Sequence, residues 1–249
     1  KMISQLYEDG LLSNSQAKRM MWFCVNSGPA FVVGTVGAAM LSDKRCGIIL
    51  FASQTVSSLA VGVCSRFFPK NNVKQSFTAN ASIDCSVLTD SVASATQAML
   101  NVCAWILLFS AFTPFLAQLA DRFPLFNFAI VMSEVTGGCA FAAKRLPPCL
   151  LAPILCWSGF AVHMQLLPYI KSIGMRLPEF WISRAVNCLL ALPIAYFLFK
   201  AFPCKAQVFS HFSDVVIEPY SVSIPASAAM LLLGAFTIID INLASDKKM

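Results

Sequence analysis

Glu134 stands in the middle of an apolar stretch, PLFNFAIVMSEVTGGCAFAA (124–143), and Val135, Thr136, Gly137 and Gly138 follow it. A carboxylate in such surroundings can carry a proton, pair with a base, or sit in water at the tip of a hairpin. Two further interruptions share a pattern. Ser27-Gly28-Pro29-Ala30-Phe31, preceded by Asn26, and Ser158-Gly159-Phe160-Ala161-Val162 both read Ser-Gly-x-Ala-apolar, each near the middle of an apolar segment. A Pro removes a helical donor and biases the preceding Gly28 away from the helical region. Breaking a helix frees N–H groups that point into the gap and carry partial positive charge, which favours an anion. The plainer alternative is a pair of kinks re-satisfied by serine hydroxyls and neighbouring helices. His163, one turn past the second break, is placed to bind a carboxylate, carry a proton or simply pack. Gln165 and Asn187 are weaker candidates, and Gln97 and Asn101 are expected to face the bundle interior.

The composition says what surrounds these residues. Hydrophobic residues make up 57% and charged residues only 12%, with a mean hydropathy of +0.70. A soluble domain carries about twice that charge, so lipid is the expected solvent. At membrane depth an unpaired, dry carboxylate costs roughly 2.5–3.5 kcal/mol on insertion scales, which makes Glu134 a functional candidate. The net charge of +6 comes from pairs such as Lys18-Arg19, Lys44-Arg45 and Lys144-Arg145 near segment ends. That is how membrane helices are flanked, and there is no basic stripe for nucleic acid. The ten cysteines form no Cys-x-x-Cys pair and no zinc-ligand spacing with a histidine, so they read as packing residues and no metal or cofactor is expected. With no nucleophile elbow and no phosphate-binding loop, no enzyme is expected.

The elements that must hold the candidates follow from periodicity and breakers. Residues 2–9 predict a short amphipathic helix ended by Gly10, and Ser13-x-x-Gln16 predicts a capping box opening the next helix. That helix and residues 30–41 together form one broken crossing. Residues 46–68 predict a continuous span, and 91–120 run past the ~20 residues a crossing needs. Residues 124–143 predict a re-entrant hairpin, whose irregular tip is tolerated only against protein or a water-filled cavity. Residues 148–170 form a second broken crossing, and 180–202 and 222–243 two more spans. Residues 69–90 and 203–221 are polar connections. The expected fold is all-α: a polytopic helix bundle with about six crossings, broken helices and a re-entrant hairpin.

The motifs also carry a resemblance. Leu6, Tyr7 and Gly10, then Phe23, Cys24, Ser27, Gly28, Pro29 and Phe31, then Gly34, Val36 and Gly37 resemble the YlbJ-type sporulation integral membrane proteins. These belong to the wider group with a nucleoside-recognition or Gate domain. EVTGG (134–138) looks like that family's Glu-x-Thr-x-Gly element, and WSGFAVHMQ (157–165) like its Ser-Gly-x-x-Val-His-x-Gln element. The resemblance implies an inverted-repeat Gate-type transporter fold with halves at 1–120 and 121–249. It also implies an apolar N-terminal section ending in Gly-Tyr-Pro-x-Gly-Ala-Lys ahead of residue 2, with Lys1 as its last residue and GCAFAAK (138–144) as its counterpart.

What the resemblance implies for function is a multi-pass protein of a bacterial membrane, the mother-cell or outer forespore membrane of an endospore former. Its expected activity is moving a small organic anion, dipicolinate, through the paired breaks. The expected substrate-binding set is Asn26, Ser27, Gly28, Pro29, Glu134, Thr136, Gly137, Gly138, Ser158, Gly159, His163 and Gln165. Expected partners are the lipid bilayer, a small anionic solute and a coupling proton or cation; a homo-oligomer stays open and no nucleic acid is expected. The alternatives are a nucleoside permease, using Gln165, Asn26 and Glu134 as hydrogen-bonding groups, and a non-transporting assembly factor in spore cortex formation.

Overall fold

A computed structural model describes residues 1–67 and 86–204, together with Leu232. The expected span at 222–243 and most of the connections at 69–90 and 203–221 lie outside the described residues. Among the described residues the chain is helical throughout and contains no strand.

Helix α1 (Met2–Glu8) ends at Gly10, whose φ of +71° lets the chain turn. Helix α2 (Asn14–Phe23) opens on the expected capping box. Ser13 accepts from the Gln16 backbone, and the Gln16 side chain accepts from the Ser13 backbone. The chain leaves helical geometry from Cys24 to Gly28 and resumes as a π-helix, Ala30–Met40. Helix α3 (Lys44–Ser65) follows, capped by Asp43. Gly37 and Gly47 let these two helices touch: a Cβ on Gly37 would lie 2.6 Å from the Gly47 Cα. Small residues allow this close backbone approach, which is how apolar helices associate in lipid.

Helix α4 runs from Ser86 to Arg122, 37 residues. At 1.5 Å per residue that is about 55 Å, well beyond a ~30 Å hydrocarbon core. Its polar early turns do not pack inside: Gln97 is exposed and Asn101 only half-buried, contrary to the expectation that both face the interior. The four-residue spacing of Gln97 and Asn101 puts both on one helix face but does not say whether that face turns inward or outward.

The 124–143 stretch folds as two short helices, α5 (Phe126–Ser133) and α6 (Val135–Ala143), joined at Glu134. The chain doubles back there. A Cβ on Gly138 would lie 2.6 Å from the Val131 carbonyl oxygen, although seven residues of continuous helix would separate them by ~10 Å. The expected hairpin is therefore present. A short 3-10 turn (Pro148–Leu150) leads into α7 (Leu151–Trp157), then α8 (Gly159–Ser172) and α9 (Leu177–Ala201). The core gathers the π-helix, α3, the hairpin, α7 and α9 around Val36, Leu50, Leu151, Leu155 and Ala191.

Four described stretches are long and apolar enough to cross a membrane: Lys44–Ser65, Ser91–Arg122, Pro148–Ser172 and Leu177–Ala201. The protein is a multi-pass membrane protein. The broken pair α2 and π-helix adds the shorter apolar piece Ala30–Met40.

Candidate functional site

The first break exposes a run of backbone carbonyls, and side chains from two neighbouring helices cover them. Gln54 on α3 donates to the Ser27 carbonyl at 3.0 Å. Asn187 on α9 donates to the Trp22 carbonyl at 3.0 Å. Arg184, one turn earlier on α9, donates one amino group to Trp22 and the other to Val25. Asn26 turns back to the Phe23 carbonyl at 2.8 Å, and its own oxygen accepts from Ser58 at 2.7 Å. Ser57 fixes the Asn187 backbone at 2.8 Å. This is how lipid-embedded irregular backbone survives: the carbonyls of Trp22, Phe23, Val25 and Ser27 find side-chain donors. Gly28 and Pro29 themselves are exposed.

The second break is a sharper device. Ser158 and Gly159 both take left-handed backbone, with φ of +68° and +76°. A serine in that region costs on the order of 1–2 kcal/mol, so the packing around it must hold it there. The Ser158 hydroxyl donates back to the Leu155 carbonyl and does not cap α8. The N-terminus of α8 has no side-chain cap, and neither has the π-helix after Pro29.

Glu134 contrasts with both. Its two carboxylate oxygens accept from the Thr136 and Gly137 amides, each at 2.7 Å. Among the described residues no base pairs with it, and it does not sit exposed at a tip. It is 4% exposed and caps its own helix α6. To the three chemistries open from sequence the geometry adds a fourth: an N-cap whose two oxygens accept from the first amides of α6. Gly138 supplies the close turn-back described above.

The hairpin and the second break meet directly. A Cβ on Gly159 would lie 2.8 Å from the Val135 nitrogen and 2.9 Å from the Glu134 Cα. Glycine is required here for contact as well as for φ. His163, fully buried, donates from Nε2 to the Trp157 carbonyl at 2.8 Å, which covers the carbonyl freed at this break. Its ring lies 4.6 Å from that of Trp157 and 5.2 Å from that of Phe180. Phe180 in turn lies 5.6 Å from the Arg184 guanidinium. A chain of contacts thus runs from the second break, through His163 and Phe180, to Arg184 and the first break.

This chain of contacts links the two breaks; among the described residues no hydrogen bond joins Ser27-Gly28 to Ser158-Gly159 directly. Gln165 is half-buried on α8, and among the described residues no hydrogen bond ties it to either break. Sequence reasoning missed Arg184, Gln54, Ser57 and Ser58. The signal for Arg184 was present: a basic residue about 10 Å into an otherwise apolar span, one turn before Asn187. A separate cluster also went unseen. Asp43, Cys46 and Cys204 bring a carboxylate oxygen and two sulfurs within 4.8 Å of one another, across a sequence gap that no spacing motif reveals.

Against this geometry stands one relative. The chain is similar to a sporulation membrane protein. The sporulation integral membrane protein YlbJ of Bacillus subtilis (strain 168) is 23% identical over an alignment of 293 positions, covering 96% of this chain and 72% of the relative. No family model matches the chain, and no solved structure matches it. The likeness to YlbJ-type proteins read from Ser27-Gly28-Pro29, EVTGG and the Ser158–Gln165 motif accords with this relative, which spans both breaks and the hairpin.

Proposed function

We propose that this protein is a sporulation-associated permease that carries a small organic anion across its membrane through the two helix breaks. The observation that carries the reading is the docking of Gly159 against Glu134. It sets the uncapped N-terminus of α8 beside the hairpin tip, where the Glu134 carboxylate caps α6. Partly positive helix ends without a side-chain cap, at membrane depth, are suited to an anionic group. Arg184 adds a full positive charge between the breaks, and among the described residues no carboxylate pairs with it. Corresponding interruptions in two parts of a chain are the arrangement in which transporters place substrate.

Dipicolinate is the proposed substrate, because the similar protein is named for sporulation and a dianion suits two positive helix ends and a buried arginine. A proton or cation gradient is the proposed driving force. The test is uptake of radiolabelled dipicolinate into vesicles holding the full-length protein, with and without a pH gradient. Expected is uptake that falls when Ser27 or Ser158 is changed. No uptake, or uptake indifferent to both changes, refutes the permease. Competition by uridine or adenosine without competition by other dicarboxylates would assign the nucleoside reading in its place.

A further inference from the structure

We infer that Asp43, Cys46 and Cys204 form a binding site for a thiophilic divalent cation of the zinc class, which clamps the ends of α3 and α9 at one face of the membrane. The inference does not depend on the permease reading. A carboxylate oxygen and both sulfurs lie within 4.8 Å of one another, and the Cys46 and Cys204 sulfurs are 2.7 Å apart. Both cysteines are free thiols. Three ligand atoms this close suit a single ion. With Zn–S near 2.3 Å and Zn–O near 2.1 Å, ligand atoms on a tetrahedral zinc stand about 3.6–3.8 Å apart. The two sulfurs reach that spacing by parting about 1 Å. Cys204 is free to supply the movement, because it follows the end of α9, where Phe202 has already left helical backbone at φ −124° and ψ 77°.

Separate elements place the ligands. The Asp43 amide donates to the Gly37 carbonyl at 3.0 Å, which holds the turn from the π-helix into α3. The Asp43 side chain then caps α3, one oxygen accepting from the Arg45 amide at 2.8 Å. A carboxylate offers about four lone-pair sites, so capping leaves capacity for a metal. Cys46 is buried in the first turn of α3, and Asp43 and Cys204 are half-buried. Both helices belong to membrane spans, and these ends carry Lys44, Arg45 and Lys200. The site therefore lies where water meets lipid, and an ion reaches it from the aqueous side. The carboxylate favours a metal over a cross-link, because a disulfide uses only the two sulfurs. A cation takes all three groups as ligands, each thiol passing its proton to water as its sulfur binds. Two sulfurs disfavour hard cations such as Mg²⁺ and favour Zn²⁺. Three protein ligands leave a fourth position to water. The ion ties together the two helices whose Gln54 and Arg184 cover the first break.

The test is a titration of the full-length protein in detergent, reduced and stripped with a chelator, using Co²⁺ as a spectroscopic substitute for Zn²⁺. Thiolate-to-cobalt charge-transfer absorption reports ligation by sulfur. Expected is one equivalent bound through sulfur, displaced by Zn²⁺ and not by Mg²⁺. Zn²⁺ is also expected to raise the melting temperature. Cys204→Ser should lose both the tight equivalent and the thermal shift. Asp43→Asn keeps an oxygen to cap α3 and removes the charge. It should weaken Co²⁺ binding about tenfold or more, since even groups outside the ligand shell cost 10–100-fold when removed. Cys64→Ser, an exposed thiol at the other end of α3, should bind as wild type does. Asp43→Asn decides the matter if the Cys204 variant fails to fold. Wild-type affinity in Cys204→Ser or Asp43→Asn, displacement by Mg²⁺, or no sulfur-ligated equivalent overturns the site. So does a Cys46–Cys204 disulfide in the unreduced protein whose reduced form takes up no Co²⁺.

Discussion

Gly159 lies so close to Glu134 that a single methyl group would separate the second helix break from the hairpin. Its Cβ would stand 2.9 Å from the Glu134 Cα, and its backbone holds φ at +76°. Gly159→Ala therefore meets two obstacles. The left-handed backbone alone costs about 1–2 kcal/mol for a non-glycine residue, and the overlap adds to it. The variant is expected to melt lower in detergent and to lose uptake, whereas Gly28→Ala, with open space around it, should change the melting temperature little. Equal effects at the two positions would contradict the docking.

Glu134 is expected to behave as a cap. Its carboxylate holds the Thr136 and Gly137 amides, and losing an N-cap acceptor costs about 0.5–2 kcal/mol. Glu134→Ala should lose that amount in chemical unfolding. Glu134→Gln keeps one acceptor oxygen and should lose less. If the two variants are equally stable, the hydrogen bonds do not carry the role.

Arg184 is expected to be needed for folding as well as for recognition. Arg184→Met removes the Arg184 donor from the Val25 carbonyl and from the Trp22 carbonyl, which Asn187 also reaches. A buried, unsatisfied polar group costs about 1–3 kcal/mol. Stability should fall in the order wild type, Arg184→Lys, Arg184→Met, measured by thermal unfolding in one detergent.

The contact of the π-helix with α3 depends on Gly37 and Gly47, where an added Cβ would lie 2.6–2.9 Å from facing backbone. Gly47→Leu is expected to drive the helices apart and lower expression sharply. Gly34→Ala, with nothing within 4 Å, should be tolerated. Expression and size-exclusion profiles of the pair check this.

Cys24 is exposed beside the first break, whereas Cys139 and Cys156 are buried. A maleimide that stays in water should label Cys24 if the break faces an aqueous path, and should spare the other two. Protection of Cys24 by dipicolinate would place the solute near the break; labelling of Cys156 at the Cys24 rate would contradict the packing.

The sequence alone determined that this is a helical membrane protein, because long apolar blocks with paired charges at their ends have no other solvent. It also located both breaks and the hairpin, since Gly, Pro and a carboxylate inside an apolar run are local signals that no distant residue must confirm. Three matters needed the tertiary structure. Glu134 caps its own helix, a choice among several chemistries that depends on which amides lie within 2.7 Å. Gly159 must be glycine because of backbone 24 residues earlier in the chain. Arg184 belongs to the first break although 159 residues separate it from Val25. An isolated carbonyl carries no record in its own sequence of which distant side chain will cover it; only the packing of α9 against α2 and α3 decides that.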